Sequence, residues 1–225
     1  VSSSTKSAYF GKAFPDRFYN VGVAEANMVD IAAGMATAGY HPVVNAFAIF
    51  LALKATDQIR NTLCYNNLHV IIAGAYGGLS DSFDGASHQA ITDIAIMRAL
   101  PNMQVIVPGD AKQAEQALEY ALKQKGPVYI RLNRNAMPDL PASDTIGTVC
   151  TARGSDVTIA ANGITASFAN EAAALLQKEG IKAEVLSVPV VKPLDVQSLK
   201  DSVAKTGKLL CVEEHVLAGG FSSAV

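Results

Sequence analysis

A glutamate at the start of a nearly uncharged helix is the first candidate for chemistry. Glu25 follows the strand-like segment 20–24 and opens a stretch rich in Ala, Gly and Met. A glutamate in a first helical turn can simply complement the helix dipole. Here few polar neighbours can solvate the carboxylate, and open parallel sheets place their sites at the carboxyl ends of strands. Glu25 is therefore a candidate for proton transfer.

Three apolar residues recur at three-residue spacing in the next predicted helix. Phe47, Phe50 and Leu53 would share one face of that helix. Such a stripe usually packs in a core. It also follows the end of another strand of the same sheet, so it can instead form an aromatic wall for a flat heterocycle close to Glu25.

A long loop after the next strand combines glycines with ionisable side chains. Residues 74–89 carry Asp84 and His88, four residues apart. Loops of this length are uncommon unless they are functional. We expect His88 to stand at the start of a helix and to present its imidazole, with the Asp84 carboxylate, into one cleft.

Two arginines lie where the chain runs off the end of the strand predicted at residues 128–132. Strand alternation places Arg131 and Arg134 on opposite faces while the strand lasts. A solvated strand end is one interpretation. A guanidinium at the carboxyl edge of a sheet also suits a phosphate-bearing substrate.

These residues need a scaffold that brings strand ends together, and the sequence pattern predicts one. Short apolar runs alternate with helical patterns, which indicates parallel sheets covered by helices on both faces. The predicted strands are residues 18–23, 42–46, 69–73, 104–107, 128–132, 157–161, 183–188 and 209–213. The predicted helices are residues 24–38, 48–65, 89–100, 111–124, 166–179 and 195–206.

The fold class expected from this rhythm is α/β, with two consecutive parallel-sheet domains. The first domain is predicted at residues 1–140 and the second at 152–225, where it looks truncated. A polar, proline-containing linker is predicted between them, at residues 141–151.

Composition narrows the classes of partner. The 225 residues carry a net charge of −2 with mixed signs and no basic stripe, which argues against nucleic acid. No apolar run approaches the ~18 residues of a membrane helix, so no membrane partner is expected. The three cysteines, Cys64, Cys150 and Cys211, match no metal-binding spacing and indicate thiols in a reducing cytoplasm.

Five motifs, in this order, resemble the thiamine-diphosphate enzymes of the transketolase family. They are Asn-Val-Gly-Val-Ala-Glu-Ala-Asn-Met at 20–28, Phe-x-x-Phe at 47–50 followed by Asp-Gln-Ile-Arg at 57–60, Asp-Gly-Ala-Ser-His-Gln at 84–89, Arg-Ala-Leu-Pro-Asn-Met at 98–103 and Asn-Arg-Asn at 133–135. The resemblance to the pyrimidine-binding domain covers about residues 1–135. The remainder resembles the family's C-terminal domain more weakly.

The resemblance implies a cofactor site. Glu25 matches the catalytic glutamate that hydrogen-bonds N1′ of the aminopyrimidine of thiamine diphosphate. Phe50 matches the ring that stacks on the pyrimidine, and Phe47 and Leu53 complete that pocket.

The resemblance also implies a substrate site. His88, as a catalytic residue, and Asp84 match the side chains that hold the sugar hydroxyls and carbonyl. Arg134 matches a phosphate ligand, and Ser4 matches weakly a serine near the same phosphate. Tyr76 stands where the family has a histidine that helps bind phosphate, and residues 82–83 depart from the usual Gly-Glu. Both departures bear on sugar-phosphate specificity.

The family's diphosphate site is missing from this sequence. Elsewhere in the family a separate domain with Gly-Asp-Gly holds Mg²⁺ and the diphosphate, and no Gly-Asp-Gly occurs here. We therefore expect no metal ligand on this chain. Instead we expect a partner half or subunit that binds Mg²⁺, and a homo-oligomer, either a dimer or a heterotetramer.

The implied reaction moves a two-carbon ketol unit from a ketose phosphate to an aldose phosphate. A deoxyxylulose-phosphate synthase is an alternative, although glycine would then be expected after Arg134 in place of Asn135. A 2-oxoacid dehydrogenase beta subunit is a second alternative. From a different class, the chain can be a non-catalytic regulatory subunit that retains the fold.

Overall fold

The computed structural model describes residues 3–141 and 143–225, and two β-sheets organise them. The strands of the first sheet are β1 (Val43–Phe47), β2 (Ile71–Ala75), β3 (Gln104–Ile106), β4 (Val128–Arg131) and β8 (Val190–Lys192). Those of the second are β5 (Val149–Ala152), β6 (Val157–Ala161), β7 (Ala183–Ser187) and β9 (Leu209–Val212). The first sheet has the order β1-β2-β4-β3-β8 and the second has the order β5-β7-β6-β9.

Helices separate most of these strands along the chain. They are α1 (Ala8–Ala13), α2 (Glu25–Thr37), α3 (Ala48–Lys54), α4 (Thr56–Gln58), α5 (Asp93–Ala99), α6 (Ala111–Leu122), α7 (Thr165–Lys178) and α8 (Val196–Thr206). A 3₁₀ turn occupies Pro15–Arg17 and a π-helical turn occupies Ile59–Cys64.

Side-chain alternation explains why both faces of the first sheet are covered. Ile72, with Val105 and Tyr129, packs in a core beneath α2, α3 and α5. Ile71 and Ile130 point to the opposite face and pack beneath α6. Strands that are apolar on both sides need helices on both sides, and the α/β fold class is confirmed.

Each sheet is mixed rather than purely parallel. β1, β2, β4 and β3 are parallel to one another, whereas β8 joins the edge antiparallel to β3. In the second sheet β7, β6 and β9 are parallel and β5 is antiparallel to β7. The antiparallel edge strands are the part of the fold that the alternating pattern does not predict.

Strand β8 ties the two halves of the chain together. It lies in the second half of the sequence but pairs in the first sheet. The Lys192 ammonium, at its end, donates to the carbonyl oxygens of Arg98 at 2.8 Å and Leu100 at 2.6 Å. The first core also includes Leu186 and Phe221 from the second half. The two sheets therefore share a hydrophobic core.

The strand predicted at residues 18–23 is wrong. That segment runs as irregular chain before α2, with Tyr19 and Val23 exposed. Gly22 has a φ of +78°, which lies outside the strand region, and its N–H donates to the Asn20 side chain at 3.1 Å. The Asn-x-Gly turn has replaced the strand that the flanking apolar residues suggested.

Three further boundaries differ from the prediction. The helix predicted at 48–65 is divided into α3, α4 and the π-helical turn, and the helix predicted at 89–100 begins only at Asp93. Strand β5 starts within the predicted linker 141–151. The domain boundaries themselves stay a prediction. Among the described helices, none is both long and apolar enough to cross a membrane.

The amino end of α8 gives a test of the fold. The Asp195 carboxylate accepts hydrogen bonds from the Ser198 N–H at 3.1 Å and the Ser198 hydroxyl at 2.6 Å. These bonds lower the pKa of Asp195 below its ordinary value of 3.8. Replacing it, as Asp195→Ala, should destabilise the chain by about 1 kcal/mol at neutral pH, because the helix loses its cap.

The stability difference between wild type and Asp195→Ala should depend on pH. A pKa that is lowered on folding stabilises the chain fully above the ordinary value and loses this effect as the pH falls through the lowered value. Thermal unfolding of both proteins between neutral and acidic pH measures the difference. Asp201→Ala, on the same helix but with its side chain bonded to the exposed Gln197 side chain, is the control. A difference that persists unchanged in acid would contradict the capping role.

Candidate active site

Three strand ends meet at the carboxyl edge of the first sheet. Phe47, the last residue of β1, pairs with Ala75 at the end of β2, and Gly74 pairs with Arg131 at the end of β4. Because the strands are parallel, the residues that follow each of them emerge at the same edge. This edge brings together side chains that are far apart in the sequence.

Four rings form an aromatic cluster at this edge. Phe47 stacks on Tyr76 with ring centroids 4.8 Å apart and contacts Phe50 at 5.7 Å. The His88 ring lies edge-on to Phe50 at 5.1 Å and to Phe47 at 5.7 Å. The predicted residues from three separate segments therefore lie in direct contact.

The prediction that Phe47, Phe50 and Leu53 share one face of a helix is only partly correct. Phe47 belongs to β1 and caps α3 in an extended conformation, so the three residues do not lie on one helix. Phe47 and Phe50 still meet. Leu53 is 59% exposed and is not part of the aromatic cluster.

Glu25 is the first residue of α2 and lies buried beside the cluster. Its carboxyl side chain is 3% exposed, and its Oε2 accepts a hydrogen bond from Lys54 Nζ at 2.6 Å. The same ammonium lies 5.0 Å from the centroid of the Phe50 ring. A buried carboxylate and an aromatic face are thus adjacent, with one lysine contacting both.

Tyr76 joins the cluster to the amino-terminal segment. Its backbone φ is +61°, an uncommon conformation for a residue other than glycine, and its ring is nearly buried. The Tyr76 hydroxyl donates to the backbone carbonyl of Ser4, a residue that is itself exposed. Ser4 therefore reaches the site through its main chain.

Arg134 lies above Tyr76 and is paired with an acid. Its guanidinium carbon is 4.9 Å from the Tyr76 ring centroid and 5.5 Å from that of Phe83. A guanidinium nitrogen donates to Asp81 Oδ1, and the Asp81 side chain is fully buried. The Oδ2 atom of Asp81 has no hydrogen-bond partner among the described residues. The charge of Arg134 is thus largely compensated.

Asp84 and His88 are arranged differently from the prediction. His88 is half-buried in a turn, not at a helix start, and its Nδ1 lies 2.9 Å from the Ser87 hydroxyl. Asp84 is exposed. The imidazole therefore contacts the aromatic cluster, while the Asp84 side chain lies at the surface.

The glycine loop of residues 74–78 rests on a buried ionic network. Arg131 Nε donates to Asp93 Oδ2 at 2.9 Å, and the Tyr129 hydroxyl donates to the same oxygen at 2.7 Å. A second Arg131 nitrogen donates to the carbonyls of Ala90 at 2.6 Å and Glu214 at 2.9 Å. Arg131 thus connects β4, α5 and the second half of the chain.

The network shifts the protonation equilibria of its members. Burial, reinforced by the Asp93 carboxylate, raises the pKa of Tyr129 well above its ordinary value. Burial opposes the charge of Arg131, but Asp93 and Tyr129 outweigh it, so the pKa of Arg131 is raised. The guanidinium therefore stays charged in the interior and has a structural role.

Gly77 shows how closely the loop packs on this network. A β-carbon at Gly77 would lie 2.6 Å from Arg131 Cγ, closer than any ordinary contact. Gly78, at a φ of +67°, lies against the Glu214 carboxylate, which accepts the Leu79 N–H at 2.9 Å. The glycines permit the backbone to approach these side chains.

Sequence reasoning did not identify Lys54, Asp81 or Glu214. Lys54 carries a usable signal, since it is the only charged residue in the apolar stretch 43–56. Asp81 has no such signal, because nothing in the sequence distinguishes it from Asp84 in the same loop. Glu214 lies far along the chain and reaches the loop only through the tertiary fold.

Family models match both parts of the chain. Residues 1–139 match the transketolase pyrimidine binding domain, and residues 148–225 match the transketolase C-terminal domain. The chain belongs to the transketolase family. It corresponds to the C-terminal section of these enzymes, as the five sequence motifs implied.

Relatives include both short and long proteins. The chain is 38% identical to a protein described as a transketolase C-terminal section from Methanocaldococcus jannaschii, covering 100% of this chain and 72% of the relative. It is 38% identical to 1-deoxy-D-xylulose-5-phosphate synthase from Heliobacterium modesticaldum, covering 96% of this chain but 34% of that enzyme. This transketolase-family chain thus spans about a third of such full-length enzymes.

A solved structure described as a split-gene transketolase, in an inactive tetramer of beta subunits, has the same fold. It superposes with a TM-score of 0.90 at 44% identity, covering all of this chain and 74% of the other. The superposition covers the whole of this chain and therefore both of its sheets.

Breaking the buried network around Arg131 should lower the stability of this transketolase-family chain against unfolding. Arg131→Met leaves Asp93 buried without its ion partner, and breaking such a pair costs about 3–5 kcal/mol. Urea denaturation should show a correspondingly lower midpoint. Arg153→Met removes an exposed arginine and is the control. Equal urea midpoints for the two variants would mean that Arg131 does not stabilise the fold.

Proposed function

We propose that this chain is the pyrimidine-binding half of a transketolase-like enzyme that uses thiamine diphosphate. The enzyme would transfer a two-carbon ketol unit from a ketose phosphate to an aldose phosphate. The observation that carries the proposal is the buried Glu25 carboxylate beside the Phe50 ring, with Lys54 Nζ 2.6 Å from the carboxylate and 5.0 Å from the ring centroid.

The residues present fit the aminopyrimidine part of the cofactor. An aminopyrimidine needs a flat apolar surface and a hydrogen-bond partner at a ring nitrogen, and Phe50 and Glu25 supply these two features. Phe47 supports Phe50 from the side, and Leu53 would border the pocket from the exposed part of α3. When bound, thiamine diphosphate supplies the nucleophilic carbon that accepts the ketol unit.

Glu25 is the proposed proton-transfer residue. Its carboxylate would hold and release a proton at N1′ of the pyrimidine, and its burial keeps competing water away from that position. Proton transfer by a positioned side chain typically contributes ~10²–10⁴-fold to a rate. Phe50 would fix the ring plane so that N1′ points at the carboxylate.

His88 and Asp84 are the proposed ligands of the sugar. The half-buried His88 ring packs on Phe50, so its free edge would face a substrate held above the cofactor. Asp84 is exposed and would reach the sugar hydroxyls from the surface of the loop. Both assignments rest on their motif and their position at the sheet edge.

Arg134, Tyr76 and Ser4 are the proposed phosphate-side residues. Arg134 already donates to Asp81, so a phosphate would share the guanidinium with a buried carboxylate. The Tyr76 hydroxyl already donates to Ser4, and it replaces a group that can be cationic elsewhere in the family. We infer weaker phosphate binding than in enzymes with an unpaired arginine and a histidine.

A partner half is part of the proposal. It would carry the Mg²⁺ ion and the diphosphate site, and the active assembly would be a dimer of such pairs. The relative from a split gene supports this division. A place in pentose phosphate metabolism and a cytoplasmic location are further predictions.

Deoxyxylulose-phosphate synthesis is a second candidate, favoured by the 38% identity to such a synthase. It differs from ketol transfer in its product, which would be a deoxyxylulose phosphate. Asn135 in place of the glycine expected after the last arginine argues against it. Assays of the assembled enzyme for deoxyxylulose-phosphate formation and for ketol transfer from a ketose phosphate would distinguish the two reactions.

Replacing Glu25 tests the proposed proton transfer. In the assembled enzyme Glu25→Gln should lower kcat by ~10²–10⁴-fold, because an amide cannot exchange the N1′ proton. Proton exchange at C2 of the bound cofactor, followed by NMR, measures the affected step directly. Glu115→Gln, which breaks an exposed pair with Lys112, is the matched control. Undiminished exchange in Glu25→Gln would refute the assignment.

The isolated chain tests the division between two halves. Alone, with Mg²⁺ present, it should bind thiamine diphosphate poorly and show no turnover, because its sequence has no Gly-Asp-Gly motif to hold the metal and the diphosphate. Calorimetry on the isolated chain and on the reconstituted pair measures this contrast. Micromolar, metal-dependent binding to the isolated chain would contradict the two-half arrangement.

A further inference from the structure

Lys54 occupies the place between the buried carboxylate and the aromatic ring. It is the last residue of α3, and its Nζ is 2.6 Å from Glu25 Oε2 and 5.0 Å from the Phe50 ring centroid. The ammonium therefore makes a charged hydrogen bond and a cation–π contact at once.

These are the two contacts that the proposed function requires of an aminopyrimidine. A heteroaromatic ring stacked on Phe50 would lie where the ammonium now lies, and its N1′ would take the Lys54 position at Glu25. We propose that Lys54 is an internal substitute for the aminopyrimidine, which holds Glu25 and Phe50 in the cofactor-free state and is displaced when the cofactor binds. This inference rests on the proposed function.

The exposure of the two partners favours displacement over a permanent pair. The Glu25 side chain is 3% exposed, whereas that of Lys54 is 52% exposed. The lysine can move its charge into water by rotating a flexible stem. Glu25 cannot follow, because it is fixed at the first turn of α2. A ligand that brings its own donor would therefore replace Lys54 and leave the carboxylate paired.

The substitute also explains how a carboxylate persists in this apolar position. An unpaired buried carboxylate is strongly disfavoured, and Lys54 satisfies it before any ligand arrives. A contact made only in the cofactor-free state must be broken on binding, so it lowers cofactor affinity. Removing Lys54 should therefore tighten binding, whereas removing a residue that positions Glu25 in the bound state would weaken it.

Calorimetry of the reconstituted enzyme with thiamine diphosphate and saturating Mg²⁺ tests the sign of this effect. Lys54→Ala should lower the Kd on the order of ten-fold, the lower end of what a hydrogen bond to a charged group contributes, because the pair is half-exposed. Lys112→Ala removes a lysine from an exposed 2.7 Å pair with Glu115 and should leave the Kd unchanged.

A double-variant cycle ties the effect to Glu25. In a Glu25→Gln background, Lys54→Ala should no longer tighten cofactor binding, because the ion pair is already lost. Circular dichroism of each variant verifies the fold. An unchanged or higher Kd for Lys54→Ala, with normal binding by wild type, would overturn the substitute role alone. Failure of wild type to bind the cofactor would overturn the proposed function as well.

Discussion

The buried pair of Arg131 and Asp93 is the interaction on which the candidate site depends. Both side chains lie in the interior, where removing one partner of an ion pair leaves an uncompensated buried charge. Arg131 also donates to two main-chain carbonyls, one of them at Glu214 in the second half of the chain, while Asp93 Oδ1 has no hydrogen-bond partner among the described residues. One guanidinium thus fixes the end of β4, the glycine loop above it and the junction between the halves.

Above this network the site shows a repeated arrangement in which a buried acid is paired with a more exposed base. Glu25 is paired with Lys54 and Asp81 with Arg134, and in both pairs the carboxylate is the buried member. Buried carboxylates are fixed in position, whereas the longer basic side chains can exchange partners with water or with a ligand. The acids therefore define where ligand donors must lie.

The parts of the fold that sequence could predict are those decided by local chemistry. β1, β2 and β4 are apolar on both faces, and their existence followed from that pattern. Residues 18–23 have a similar composition, but they form no strand because Gly22 adopts a turn conformation. β8 is three residues long and pairs with a strand more than eighty residues earlier, so no local sequence pattern predicts it. Glu25, Phe50 and His88 are predicted as site residues because each follows a predicted strand, although residues 18–23 before Glu25 form no strand. Lys54 and Asp81 gain their place in the candidate site only through partners that the tertiary fold supplies.

The charge balance of the site gives a physical reason for a second chain. Within residues 3–141 and 143–225, the cations that lie over rings of the aromatic cluster are Lys54 and Arg134, and each is already paired with a buried carboxylate. A diphosphate brings several negative charges, and bringing them to this edge without new cations would place like charges near Glu25 and Asp81. Displacing Lys54 would free one positive charge, which is fewer than a diphosphate requires. In the two-half arrangement proposed above, the remaining compensation would come from a metal ion and from groups on the partner half.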